Sequence, residues 1–294
     1  MKILLFAQKY KKNGNNLKYH YKVIVFIKKD YFYIKSFHFK MEILFLSLFF
    51  CIYLFITNKD KLNIKLLSSW LILFLIYALA HTSINSKGYA TLKTLLFNHF
   101  TPFYLLAGPS FYFFIKSATK DNFKFKKVHL IHLIPFFIQC IAIYEYIMVP
   151  WTTKMELVNG FYLNPENQSS VQVNIFFNSQ TNYLIRFFHI TAYLIASIIW
   201  LKKFSTFNQI KRLKVITLIT SSIVISYNVN VILILINGIY KSLFITVINF
   251  IGIFSLFLLI LEFIKAPELY INTKKINKSY LNDSIYIKKI TIKR

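Results

Sequence analysis

Acidic residues are scarce in this sequence. Ten aspartates and glutamates stand against 36 lysines and arginines, so the formal net charge is +26. On a soluble chain such a charge would suggest nucleic-acid binding. Here the lysines lie between and beside long apolar blocks, where membrane topology and anionic lipid headgroups account for them better. We therefore expect no direct nucleic-acid binding by this chain.

Cysteine is also rare, and little in the sequence would hold a metal. Cys51 and Cys140 both lie inside apolar blocks, which is typical of small buried hydrophobic residues and not of a disulfide or a zinc site. No His-x-x-x-His spacing supports a zinc site, and we predict no metal or cofactor. Candidate zinc ligands would come from four separate predicted helices: His81, His99, His189 and Glu145.

Long polar stretches are few, because 56% of the residues are hydrophobic, against about 45–50% in soluble domains. Apolar blocks long enough to cross a bilayer follow one another from residue 41 onward. We predict an all-α integral membrane bundle of seven transmembrane helices over residues 41–264. The predicted helices cover residues 41–58, 66–84, 95–115, 128–149, 182–201, 215–239 and 243–264. Three prolines are expected to kink helices three and four: Pro102, Pro109 and Pro135.

The lysines and arginines between these helices predict the orientation. The successive gaps after the seven helices carry 3, 2, 5, 1, 5, 1 and 8 of them, a series that alternates at every step. The positive-inside rule assigns the richer gaps to the cytoplasm. We therefore predict a multi-pass protein of the cell inner (cytoplasmic) membrane, with a basic cytoplasmic tail over residues 265–294. Helix one would then start outside.

Residues 1–40 do not fit this alternation. They carry ten lysines that would have to lie outside, and they lack the layout of a signal peptide. Our hypothesis is that translation begins at Met41 and that residues 1–40 are a basic extension that is not native. A real cytoplasmic arm, with one helix miscounted, is the alternative.

The gap of residues 150–182 is the longest predicted external loop. It is polar and poor in charge, and Lys154 is its one basic residue. Loops of this length are often functional or disordered. This loop would either cover an external pocket or serve as a solvated connector, and both interpretations stay open.

Ionisable side chains within membrane helices are costly and are functional candidates by default. Glu145 and Arg186 each lie about one turn from the outer end of helices four and five. Those helices are consecutive and antiparallel, so we predict that the two side chains approach each other. The alternative is that these groups lie at the membrane interface, where long side chains reach water. The candidate residues of an outer ligand pocket are His81, His99, Glu145, Arg186, His189 and Asn249.

The stretch of residues 105–138 carries a motif. Gly-Pro-x-x-Tyr-x-Phe-x-Lys-Ser is followed by a basic loop with a repeated Phe and then by His-x-x-Pro-Phe. This resembles the seven-helix sensor region of membrane-anchored AraC-type transcription regulators of Bacteroidetes. The main matching positions are Gly108, Pro109, Tyr112, Lys116, His132 and Pro135. Further matches are Phe114, Ser117, Phe123, Phe125 and Phe136.

The resemblance implies a membrane sensor that is not an enzyme. Its departure from the family is large, because the family ends in a helix-turn-helix DNA-binding domain and only about 30 residues follow helix seven here. The expected partners are the lipid bilayer, a small extracytoplasmic ligand and a separate DNA-binding output protein. A membrane-embedded metal-dependent hydrolase and a transporter-like protein are the alternatives, and no inverted repeat supports the transporter.

Overall fold

The computed structural model describes residues 41–58, 60–84, 90–120, 123–163, 174–203, 208–237 and 243–265. The chain forms two compact units, Met1–Ile43 and Leu44–Arg294. Of the first unit only residues 41–43 are described. The predicted extension 1–40 and the predicted tail beyond residue 265 lie outside the described residues.

All regular secondary structure in the described ranges is helical. A 3₁₀-helix, Lys127–Leu133, leads directly into the sixth of eleven described α-helices. The α-helices are Met41–Thr57 (α1), Leu62–Ile84 (α2), Ala90–Leu96 (α3), Thr101–Tyr104 (α4), Ala107–Thr119 (α5), Ile134–Ala142 (α6), Tyr144–Met148 (α7), Trp151–Leu163 (α8), Ser179–Lys202 (α9), Asn208–Asn237 (α10) and Leu243–Lys265 (α11).

Within the described part of the chain, three helical segments are long and apolar enough to cross a membrane by length and composition. They are Leu62–Ala80, Thr181–Lys202 and Arg212–Leu233. Five of the seven predicted helices appear as single elements (α1, α2, α9, α10 and α11), with bounds within a few residues of those expected except at the start of α10. The fold is thus helical and suited to a membrane, as predicted.

Predicted helices three and four are each divided into shorter pieces. Asn98 adopts the left-handed conformation with φ of 59°, which ends α3. Pro102 and Pro135 then stand in the first turns of α4 and α6. Proline lacks a backbone N–H and fits the first turn, where that group has no helical partner. Both prolines therefore begin new helical pieces instead of kinking continuous helices.

Part of the predicted external loop of residues 150–182 is helical, and its two interpretations as a pocket cover or a solvated connector stay predictions. α8 begins immediately after Pro150, packs against α3 and buries Val158 and Lys154. A helix forms here because one of its faces is buried against α3. The polar composition of the segment as a whole does not reveal this buried face. Residues 164–173 lie outside the described part.

The long helices pack in series: α2 against α5, α5 against α9, α9 against α10, and α10 against α11. Trp70 of α2 is 1% exposed. Its ring lies 4.6 Å from that of Phe74 and 5.4 Å from that of Phe111 in α5. An ion pair of 3.4 Å between Arg212 and Glu262 joins α10 to α11.

Candidate functional site

The structure does not bring Glu145 and Arg186 together. Glu145 lies on the short helix α7 and is exposed, whereas Arg186 lies on α9 among tyrosines. They form no ion pair and line different cavities, so the predicted pairing is not formed. The physical reason is the break at Ile143, which has φ of −100° and ψ of 5°. Counting residues along one straight helix gives the wrong membrane depth for a side chain that follows such a break.

Glu145 instead lines a cavity of about 340 Å³, which we call the Glu145 cavity. This volume lies at the lower end of the range of about 300–1,000 Å³ for small-molecule sites. α6 and α7 form one side of it, and α8 and the segment before α9 form the other. The lining residues are Ala142, Glu145, Tyr146, Val149, Leu157, Asn174 and Ile175.

Asn174 fixes the segment that closes this cavity. Its Oδ1 accepts hydrogen bonds of 2.9 Å from the backbone N–H groups of Phe176 and Phe177. The N–H of Ile175 donates to the carbonyl of Ala142 at 2.8 Å, next to the break between α6 and α7. Asn174 is 3% exposed, and its Nδ2 has no hydrogen-bond partner. The cavity wall therefore contains a buried donor that is unsatisfied.

The side chain of Lys154 connects α8 to the preceding helix α7. It is 6% exposed, and its ammonium group donates to the carbonyl of Ile147 at 2.8 Å. It also lies 3.5 Å from Nε2 of His99 and 5.2 Å from the ring centre of Tyr146. Sequence reasoning treated Lys154 as a loop charge and missed this role, which becomes visible only once α8 exists. His99, a predicted pocket residue, packs here and does not line the Glu145 cavity.

Arg186 lies in a separate cluster of tyrosines. Its guanidinium is 5.3 Å from the ring centre of Tyr183 and 5.8 Å from that of Tyr104. Its Nη2 donates to Oγ1 of Thr101 at 3.5 Å. A cavity of about 20 Å³ adjoins these groups, room for roughly one water molecule. This cavity can hold a water molecule but is too small for an organic ligand.

His189 does not line the Glu145 cavity either. The ring of His189 lies 4.9 Å from that of Tyr193, and neither ring nitrogen has a hydrogen-bond partner. The side chains of His81 and Asn249 lie outside the described part of the chain. Of the six candidates, Glu145 is therefore the one that the structure assigns to this cavity.

The motif residues converge on Tyr193, which sequence reasoning did not select. Nδ1 of His132 is hydrogen-bonded to the hydroxyl of Tyr193, and the Tyr112 ring lies 6.0 Å from that of Tyr193. A Cβ added to Gly108 would lie 2.7 Å from Cδ2 of Tyr193, so the absence of a side chain lets α5 and α9 approach closely. No sequence signal marks Tyr193, because it lies on α9, far beyond the end of the motif in the sequence.

Lys116 and the phenylalanines of the motif extend this cluster. The Lys116 ammonium group lies 4.5 Å from the ring centre of Tyr112 and 4.8 Å from that of Trp200. The ring of Phe113 lies 5.1 Å from that of Phe125 and 5.0 Å from that of His132. We call the set around Tyr193 the motif cluster: Gly108, Tyr112, Phe113, Lys116, Phe123, Phe125, His129, His132 and Tyr193.

Among the described residues, no three His, Cys, Asp or Glu side chains are grouped so that they could hold a metal ion. Comparisons of the chain with protein-family models, with curated proteins and with solved structures find no match.

Proposed function

We propose that this chain is a receptor-like sensor module of the cell inner membrane, with seven spans and its C-terminus in the cytoplasm. The observation that carries the proposal is the Glu145 cavity. Its volume of about 340 Å³ suits a small ligand, and its wall contains a carboxylate and an unsatisfied buried amide. Pockets with a few convergent polar groups in an apolar wall are the usual sites of small-molecule binding.

The exposure of the lysines supports an outward cavity. Lys93 and Lys154, from two of the gaps poor in lysine, are 3% and 6% exposed, and burial lowers the pKa of Lys93. Lys124, Lys126 and Lys127, from a rich gap, are exposed. The contrast in solvent-facing charge is thus steeper than the count of residues suggests. By the positive-inside rule, the Glu145 cavity lies outside and the exposed lysines meet anionic lipid on the cytoplasmic face.

A physical path links this cavity to the motif cluster. Ala142, in the cavity wall, is the last residue of α6. The 3₁₀-helix that precedes α6 carries His132, which bonds to Tyr193 of α9. Ten residues of helix, about 15 Å at 1.5 Å per residue, separate Ala142 from His132. A ligand that binds more tightly when α6 is in one of two positions would favour that position. It would thereby change the fraction of molecules in which His132 contacts Tyr193.

The output would come from a partner. The resemblance of residues 105–138 to the sensor region of AraC-type regulators supports a separate DNA-binding protein as that partner. Helix α11 ends at Lys265 and would present the following residues to it on the cytoplasmic side. Direct binding of nucleic acid by this chain is not part of the proposal.

Site-directed cysteine labelling tests the outward position of the cavity. In a background with Cys51→Ala and Cys140→Ala, Leu157→Cys places a thiol in the cavity wall, and Lys126→Cys places one in the exposed basic loop. A membrane-impermeant maleimide added to right-side-out spheroplasts should label Leu157→Cys at once and Lys126→Cys only after permeabilisation. The reverse order, or no labelling of Leu157→Cys before permeabilisation, would contradict the proposal.

A further inference from the structure

We infer that the Glu145 cavity binds a small organic cation, namely an amine with an apolar body. This inference rests on the proposed function, since it names the ligand class of the same site. It begins from charge, because Glu145 is the one ionisable group besides the phenol of Tyr146 among the described residues of the wall. An ammonium group is the natural partner of a carboxylate that no described cation pairs with.

Lys154 of the adjacent helix α8 does not neutralise this carboxylate. Lys154 does not line the cavity, and its ammonium group already donates to the carbonyl of Ile147 at 2.8 Å. Among the described residues, the only salt bridge is the one between Arg212 and Glu262. No described side chain therefore pairs with the carboxylate of Glu145.

The rest of the wall sets the other features of the ligand. Ala142, Val149, Leu157 and Ile175 contribute aliphatic surface, which favours an apolar body. Tyr146 directs its hydroxyl to the carbonyl of Phe97 at 3.2 Å, so it has no proton left for a ligand.

Asn174 is a further polar residue of the wall. Both strong hydrogen bonds to this side chain end on Oδ1, which leaves Nδ2 without a partner. Nδ2 has almost no accessible surface, so Asn174 shapes the wall and Glu145 is the polar group that a ligand would contact.

Charged thiol reagents measure the sign of the potential inside the cavity. The rates of modification of Leu157→Cys by trimethylammonioethyl methanethiosulfonate and by its anionic sulfonatoethyl counterpart give a cation-to-anion ratio. The same ratio at Thr153→Cys, an exposed site on α8 that does not line the cavity, is the reference. We expect the ratio at Leu157→Cys to exceed the reference by about fivefold to tenfold, as one nearby charge produces at intermediate dielectric.

Two isosteric variants test whether Glu145 causes the higher cation-to-anion ratio at Leu157→Cys. Glu145→Gln should return the ratio to the reference value. Asn174→Asp keeps the acceptor for Phe176 and Phe177 but exchanges the unpaired donor for negative charge, so it should raise the ratio further. A ratio equal to the reference and unchanged by Glu145→Gln would overturn the inference but leave the outward cavity intact. Failure of Leu157→Cys to react from outside with either reagent would instead overturn the proposed function.

Competition tests the ligand class directly. Benzylamine and benzyl alcohol have nearly the same shape, and only the amine is charged at neutral pH. Millimolar benzylamine should slow modification of Leu157→Cys by uncharged methyl methanethiosulfonate severalfold, and benzyl alcohol should not. Equal protection by both compounds would show binding through the apolar wall alone and would contradict the amine class.

Discussion

Gly108→Ala tests the close approach of α5 and α9 at the centre of the motif cluster. The added Cβ would lie 2.7 Å from Cδ2 of Tyr193 and 3.0 Å from its Cβ and Cγ. Carbon atoms pack best at about 3.5–4.0 Å, so the two helices or the ring would have to move by roughly 1 Å. The Tyr193 ring is poorly able to yield, because its hydroxyl is bonded to His132 and its edge packs on His189.

The expected magnitude follows from two opposed effects. Overpacking of this kind costs about 1–3 kcal/mol, and the upper half of that range applies because the ring is held at both ends. Alanine recovers up to about 1 kcal/mol of helix propensity over glycine. We expect a net loss of about 1–2 kcal/mol in the free energy of unfolding, from the difference of these two terms.

Gly252→Ala in α11 is the matched control. Its Cβ would lie 3.3 Å from Cβ of Ser226, a contact that a small relaxation relieves. Steric trapping in bicelles would measure the free energy of unfolding of both variants. The Gly108 variant should be less stable than the Gly252 variant, and Tyr193→Ala should remove most of the difference. Equal stabilities, or a full Gly108→Ala cost in the Tyr193→Ala background, would refute the reasoning.

Two further substitutions probe single contacts by the same measurement. Lys154→Met should cost about 1–3 kcal/mol because it leaves the carbonyl of Ile147 without its donor. Glu156→Gln, an exposed change on the same helix, should cost almost nothing, and equal effects would argue against the buried role of Lys154. Trp200→Phe removes the 2.8 Å hydrogen bond from Nε1 to Oγ1 of Thr119 and should cost about 1 kcal/mol. An unchanged stability would mean that water replaces this bond without loss.

The candidate site was only partly predictable from the sequence. Glu145 could be selected because a carboxylate in an apolar block is costly wherever the block folds. Its proposed partner Arg186 was wrong, since that pairing assumed a straight helix four and the chain breaks at Ile143. Asn174 carried no signal, because one asparagine in a polar segment looks like its neighbours until Ile175 bonds to Ala142.

The motif cluster was also predictable only in part from the sequence. Gly108, Tyr112 and His132 were chosen because residues 105–138 resemble a known family, and they do gather in one cluster. Tyr193 was missed, although it is the residue that all three approach. Contacts between distant helices leave no periodic trace in a single sequence, so the spacing of the motif could not reveal what it packs against.

The sequence by itself determined the helical class, the apolar character and the approximate bounds of the long helices. These follow from hydropathy and backbone hydrogen bonding, which act over neighbouring residues and favour helices wherever apolar blocks are long. Only the tertiary structure decided that α8 folds over α3, that Lys154 is buried, and that Glu145 and Asn174 share a cavity. Those outcomes depend on breaks at Asn98 and Ile143 that change the direction of the chain, and on packing between segments far apart in sequence.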